Sequence, residues 1–110
     1  MIKNRLGEFQ ELILMTIIVL QEEAYGVEIQ RDLEARLGKS LSVGAIQTAL
    51  KRMQENGFLT SKLGEASKKR GGKRKRIYSA TPYAHQILHE MKEVRTQLWN
   101  AMPQIGTSKA

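Results

Sequence analysis

The chain has 110 residues, of which 41% are hydrophobic, and a formal net charge of +7. This length gives one domain with a modest core, and the composition excludes a disordered chain. The absence of cysteine excludes a disulfide framework and a thiolate metal site. The N-terminus has no signal-peptide pattern, and the apolar run at residues 12–20 is shorter than the roughly 20 residues of a membrane-spanning helix. We therefore expect a cytoplasmic protein with no membrane contact.

Residues 6–21 are predicted to form a first helix, because apolar residues recur along them at helical spacing. Further apolar residues, Leu14 and Ile18 among them, cover most of the remaining circumference. A helix that is apolar nearly all round is buried on more than one side. The core of so small a domain covers one side, so we expect a second copy of the chain to cover the other.

Two further helices are predicted at residues 26–37 and from Ser42, a good N-cap, to about residue 56. At 100° per residue, the polar face of the third helix lies opposite its apolar stripe. Glutamine and threonine hydrogen-bond base edges, while lysine and arginine reach phosphates or guanine. This arrangement is typical of a helix-turn-helix, and an ordinary polar surface on a helical hairpin is the alternative. The residues of this face are Gly44, Gln47, Thr48 and Lys51, with Arg52 at its margin.

Residues 58–63 and 76–80 are predicted to form two strands joined by a basic loop. Eight basic residues and one acid lie between residues 62 and 76, so this stretch carries a net charge equal to that of the whole chain. Taken alone, the loop could be a solvated charge run. Three helices followed by a strand, a basic loop and a strand are the order of a winged helix-turn-helix, whose loop, the wing, lies along the DNA backbone or minor groove.

Thr81 as N-cap and Pro82 at the first helical position predict a last helix that runs to about residue 102. Its apolar residues alternate at spacings of three and four, which forms a heptad seam. The helix is roughly 30 Å long and exceeds what a winged-helix core covers, so we expect the first and last helices to hold a homodimer. The predicted interface residues are Leu14, Ile18, Ile87, Met91, Val94 and Leu98.

The predicted fold is thus mostly α with a small β-hairpin, a winged helix-turn-helix plus a C-terminal dimerisation helix. Residues 1–80 form the DNA-binding domain, residues 81–103 the dimerisation helix of the same compact unit, and residues 104–110 a flexible tail.

Catalytic, metal and cofactor sites find little support in the sequence. No Ser/His/Asp set and no phosphate-binding glycine loop is present. His85, His89 and Glu93 share one helix face at metal-binding spacing, but no second element adds ligands, and we interpret them as an exposed polar stripe. We therefore expect neither an enzyme nor a metal site, and no cofactor.

Four segments, in this order and spacing, carry a resemblance to a known family. They are YGVEI at residues 25–29, SVGAI at 42–46, LKRMQENGFL at 50–59 and YSAT at 78–81. Over residues 6 to about 98 the chain resembles the PadR-type bacterial transcriptional regulators, in the short form with one C-terminal helix. The resemblance implies a winged-helix homodimer that binds double-stranded promoter DNA and usually represses transcription.

Three positions depart from the family pattern. Gln47 stands where a tyrosine is common, Ala84 where a glycine is common, and Pro82 where a polar residue is usual. Because Gln47 lies on the predicted DNA-facing surface, relatives do not supply the operator sequence. Some members bind flat or phenolic effectors near the dimer interface, and Trp99, beside the heptad seam, is a candidate contact for a small aromatic effector.

The predicted DNA contacts lie at the start of the second helix, on the third helix and in the wing. A winged-helix module that binds structured RNA or a protein partner is the alternative function. Residues 73–76 also match a nuclear-import signal. A polybasic membrane contact is disfavoured because the loop has no apolar residues to insert. The predicted DNA-binding residues are Tyr25, Ser42, Gly44, Gln47, Thr48, Lys51, Arg52, Lys68, Lys69, Arg70, Lys73, Arg74 and Arg76.

Overall fold

The computed structural model of the chain describes residues 6–64 and 75–103. Within them, three helices precede an antiparallel hairpin and a fourth helix follows it, so the predicted mostly helical fold with one hairpin is confirmed. A short 3₁₀ turn, Gln21–Glu23, links the first two helices. The helices are α1 (Glu8–Leu20), α2 (Gly26–Leu37), α3 (Val43–Glu55) and α4 (Pro82–Ala101), and the strands are β1 (Leu59–Leu63) and β2 (Arg76–Ala80).

The helix ends follow the local cues that predicted them. Ser42 Oγ accepts a hydrogen bond from the Ala45 amide at 3.1 Å, and Thr81 Oγ1 accepts one from the Ala84 amide at the same distance. Both hydroxyls satisfy amides that have no partner within the helix. Gly38 ends α2 with a φ of 70°, a left-handed conformation that glycine adopts without strain.

The core forms around α1, which packs against α2, α3 and β2. Leu14 was predicted to lie in a dimer interface, but it has 0% exposed surface and belongs to the chain's own core. Ile87, predicted in the same interface, is 7% exposed and is also a core residue. Three elements of the same chain pack around α1. More of the helix surface is therefore buried within one chain than the sequence pattern indicated. The largest fully buried side chains are Ile13, Leu14, Ile17, Ile29, Leu33, Ile46, Leu50, Met53 and Leu59.

The hairpin is attached to the start of α2 through backbone hydrogen bonds. Its register pairs Leu59 with Ala80 at one end and Leu63 with Arg76 at the other. The Tyr78 amide donates to the Ala24 carbonyl at 3.0 Å, and an antiparallel bridge joins Tyr25 to Ile77. The base of the predicted wing is therefore held in a defined position beside the helix-turn-helix.

The last helix leaves the core after its first two turns. Ala84 and Ile87 are buried, and Tyr83 stacks on Phe58 with ring centroids 5.2 Å apart. From residue 92 to residue 103 every residue is exposed. The second half of α4 therefore lies at the surface of the single chain with its apolar residues uncovered.

Candidate nucleic-acid interface

The outer face of α3 is open to solvent along its whole length. Every residue that the sequence assigned to this face is exposed, while Ile46, Leu50 and Met53 point into the core. The structure thus separates the polar and apolar faces of the helix as helical spacing predicted. The exposed residues are Ser42, Gly44, Gln47, Thr48, Lys51 and Arg52.

The start of α2 approaches this face at Gln47. A Cβ atom added at Gly26 would be 3.1 Å from Nε2 of Gln47, closer than most side-chain contacts. The absence of a side chain at Gly26 therefore leaves room for the Gln47 amide beside the start of α2. Tyr25, predicted to contact DNA, is half-buried at the start of α2 and is joined to β2.

A chain of hydrogen bonds connects the hairpin to α3. Nη1 of Arg76 donates to Ser61 Oγ at 3.1 Å, and Ser61 Oγ donates to Gln54 Oε1 at 3.2 Å. Arg76 and Lys51 line one cavity of about 310 Å³ between the hairpin and α3. The first residue of β2 is thus brought to the exposed face of α3, although the two are far apart in sequence.

Ser61 and Gln54 were not among the residues predicted from the sequence. The strand register places Ser61 opposite Tyr78, so Ser61 and Arg76 are diagonal neighbours on one face of the hairpin. Strand alternation alone could have placed Ser61 on a face, but its partner depends on the register across the loop. Gln54 carries no signal in the sequence that distinguishes it from other polar surface residues.

The exposed basic residues of α3 form no ion pair within the described part of the chain. Within residues 6–64 and 75–103, the ion pairs are formed by Arg31, Arg36 and Arg95. None of them involves Lys51 or Arg52 on α3, or the exposed basic residues at the hairpin base. Glu55 lines the same cavity as Lys51 and Arg76, so the exposed charges there have both signs, with an excess of basic residues.

The predicted wing contacts Lys68, Lys69, Arg70, Lys73 and Arg74, here called the wing cations, lie outside the residues that the structure describes. The two strands that lead to them are described, and the Gly64 amide donates to the Lys75 carbonyl at 2.6 Å. The two ends of the loop therefore meet at the end of the hairpin.

A second region lies between α1 and α4, away from the α3 face. Glu11, with a side chain only 6% exposed, forms an ion pair with Arg95 at 2.5 Å. Through this hydrogen bond and its charge, the Glu11 carboxylate raises the pKa of Arg95 above its usual value. The pair borders a cavity of about 320 Å³ that Met15 and Leu88 also line.

The remaining predicted residues of α4 lie on its exposed part. Met91 is half-buried, Val94 and Leu98 are 47% and 62% exposed, and Trp99 is 73% exposed. Across the described part of the chain, no cluster of three potential metal-ligating His, Cys, Asp or Glu side chains is present. In the same residues, none of the helices is long and apolar enough to span a membrane.

A helix-turn-helix with a basic exposed second helix, followed by a two-stranded wing, defines a winged-helix DNA-binding regulator rather than an enzyme. The profile of the transcriptional regulator PadR-like family matches residues 13–99. The chain belongs to this family, as the resemblance in its four sequence segments indicated.

Solved structures of family members share the fold. A PadR-like transcriptional regulator from Bacillus cereus has a TM-score of 0.71 and 25% sequence identity, over 92% of this chain and 93% of the other. A PadR-like transcription factor from Bacteroides fragilis has a TM-score of 0.67 at 18% identity, covering 84% of each chain. A PadR family regulator from Clostridium difficile has a TM-score of 0.62 at 22% identity, over 86% of this chain and 94% of the other. No curated protein matches the sequence.

Proposed function

We propose that this regulator binds promoter DNA as a homodimer, with α3 in the major groove and the wing cations on the backbone or in the minor groove. The observation that carries the proposal is the exposed α3 face, where Gln47 and Lys51 line one cavity with Arg76. Among the described residues, neither Lys51 nor Arg52 forms an ion pair. Polar side chains at the N-terminus of such a helix contact the edges of DNA bases, and the basic side chains around it bind the phosphates.

Selection from a pool of random duplexes tests sequence-specific binding. The expected result is one enriched two-fold symmetric site, bound at least a thousandfold more tightly than random duplex. Replacing Gln47 by alanine should change which duplex is preferred, because a base-reading side chain determines sequence. A uniform loss of affinity would mean that Gln47 only positions the helix. Enrichment of structured RNA over every duplex would instead support the alternative function.

Homodimerisation is supported by the apolar side chains that one chain leaves uncovered. On α1, Met15 and Val19 are 39% and 57% exposed. On α4, Val94, Leu98 and Met102 are 47%, 62% and 51% exposed. Exposed apolar residues clustered on helices are typical of a protein interface, and symmetric pairing of two copies would cover them. Ile18 and Met91, the other predicted interface residues of these helices, are half-buried in the single chain.

Sedimentation tests the dimer directly. Met91→Lys together with Leu98→Lys should give monomers, because four lysines would be placed in one two-fold interface. Gln97→Lys together with Asn100→Lys is the matched control, since this pair adds the same two charges to exposed polar positions of α4. A stable dimer of the double variant would refute the role of α4. A monomer in the control would show that charge alone, and not its position, separates the copies.

The same geometry supports a role in repression. A dimer that covers a promoter excludes RNA polymerase from the same DNA, and we therefore expect the cytoplasm, where the genome of a bacterium lies, as its place of action. Transcription in vitro from a selected promoter should fall as the protein is added. A rise in transcript would establish activation instead.

A small aromatic effector is the last part of the proposal. Trp99 is the only tryptophan of the chain and is 73% exposed, so its ring offers a stacking surface next to the apolar residues of α4. Its fluorescence should be quenched when a flat phenolic compound binds. A ligand that binds equally well to Trp99→Leu would exclude the stacking role.

A further inference from the structure

One side chain of the α3 face is apolar and yet largely uncovered. Val43 is the first residue of the helix and is 58% exposed, which is among the highest values for a large apolar residue of the described chain. Valine is a weak helix former, so helix propensity does not account for it either. It lies on the same exposed side of the protein as the residues proposed to read DNA.

Val43 shares a row of the helix surface with two of these residues. Gln47 and Lys51 follow it at intervals of four, and residues four apart are neighbours on one helix face. The rise between successive members is about 6 Å, and base pairs are spaced by about 3.4 Å along a duplex. Val43 and Gln47 therefore reach base edges about two steps apart when the helix lies along the groove.

The chemistry of the major groove leaves one partner for an exposed valine. Its base edges present hydrogen-bond donors and acceptors, and the thymine C5-methyl is the apolar group among them. The N-terminal residues of a recognition helix are those that approach the base edges, and Val43 begins α3. The basic side chains of Lys51 and Arg76, near α3, supply the positive charge that holds the duplex there.

We propose that Val43 is a specificity-determining residue that contacts the C5-methyl group of a thymine in each half-site. The inference rests on the proposed function, because it assumes that α3 lies in the major groove. The inference goes beyond that function because it names thymine as the base that the first turn of α3 selects. Gln47, two steps along, then pairs with an adenine edge, the base that glutamine binds with two hydrogen bonds.

Methyl deletion in the DNA tests the contact without disturbing the protein. The probe is the duplex enriched from the random pool, with its thymines replaced one at a time by deoxyuridine, which keeps the base pairing and removes one methyl group. At one thymine of each half-site, the affinity of the unchanged protein should fall about fourfold, the value expected for exposing one methyl-sized group. At the other thymines it should stay the same.

The Val43→Ala variant tests the same contact by a change in the protein, so that the two changes can be compared singly and together. It should bind the thymine duplex as weakly as the unchanged protein binds the deoxyuridine duplex, and it should no longer distinguish the two. Val27→Ala is the matched control, because Val27 is an exposed valine on α2, 45% accessible. That variant should keep the fourfold difference. Equal thermal stability of both variants would show that the change lies in recognition.

Three outcomes would overturn the inference or its basis. A Val43→Ala variant that keeps the fourfold difference would overturn the assignment of the methyl contact to Val43. A selected site at which no thymine methyl affects affinity would overturn the thymine contact while leaving sequence-specific binding intact. Failure to select any duplex would instead refute the proposed function itself.

Discussion

Replacing Gly44 by alanine should raise the stability of the protein and weaken its binding to DNA. Gly44 is exposed on the proposed DNA-facing side of α3, and its backbone has an ordinary helical conformation. A Cβ atom added there would meet only Ser42 Oγ at 3.6 Å, an ordinary van der Waals distance. The folded chain therefore has room for the methyl group.

The size of both effects follows from this local environment. Alanine in place of a helical glycine stabilises by about 0.5 kcal/mol at the lower end of the usual range, which suits a position in the first turn. For a domain of this size, the melting temperature should rise by about 2–4 °C. The same methyl group would stand between the helix and the groove floor, so the affinity for the selected duplex should fall at least tenfold, roughly 1.4 kcal/mol.

Thermal unfolding and a duplex titration on the same preparation measure the two effects. Opposite changes in stability and affinity would distinguish loss of close approach from loss of folding. A stabilised variant with unchanged affinity would show that the first turn of α3 lies outside the groove, and the proposed docking geometry would then be wrong.

Other parts of the structure give further predictions. Arg95→Ala should destabilise the fold by about 1–3 kcal/mol in urea unfolding, because it leaves the buried Glu11 carboxylate without its partner; Arg36→Ala, which breaks an exposed pair, is the control and should cost less than about 1 kcal/mol. If the two substitutions lower the free energy of unfolding equally, the burial of Glu11 does not strengthen the contribution of its ion pair. Ser61→Ala frees Arg76 from its acceptor, and should leave stability within about 0.5 kcal/mol while lowering duplex affinity about threefold. Unchanged affinity would show that Arg76 needs no positioning. Neutralising the five wing cations should reduce the slope of log affinity against log salt by about 0.9 for each DNA phosphate that the wing no longer neutralises, and an unaltered slope would remove the wing from the interface.

Local features of the fold were predictable from sequence. Ser42 and Thr81 cap their helices through their own hydroxyls, and Gly38 ends α2 in the left-handed conformation. Each of these features depends on atoms within four residues of one another, so short patterns suffice to find them. The exposed face of α3 was predictable for the same reason, because it follows from helical spacing alone.

Features that depend on distant contacts were not predictable. Leu14 was placed in an interface because α1 is apolar nearly all round, but three elements of the same chain pack around that helix. The pairing of Glu11 with Arg95 joins residues 84 positions apart. The contact of Ser61 with Arg76 depends on the strand register across a loop. In each case, the determining neighbour lies on another element whose placement no short pattern encodes.

The hydroxyl of Thr81 joins the end of α3 to the start of α4. It donates to the Gly57 carbonyl, just beyond α3, at 2.7 Å, and it accepts from the Ala84 amide in the first turn of α4. If α4 holds the two copies together, the orientation of this helix determines the distance between the α3 helices of the two copies. The number of base pairs permitted between half-sites would then be determined at residue 81. The Thr81→Ser variant, which keeps the hydroxyl, should require the same number of base pairs between half-sites. The Thr81→Val variant, which lacks it, should bind duplexes with a wider range of separations.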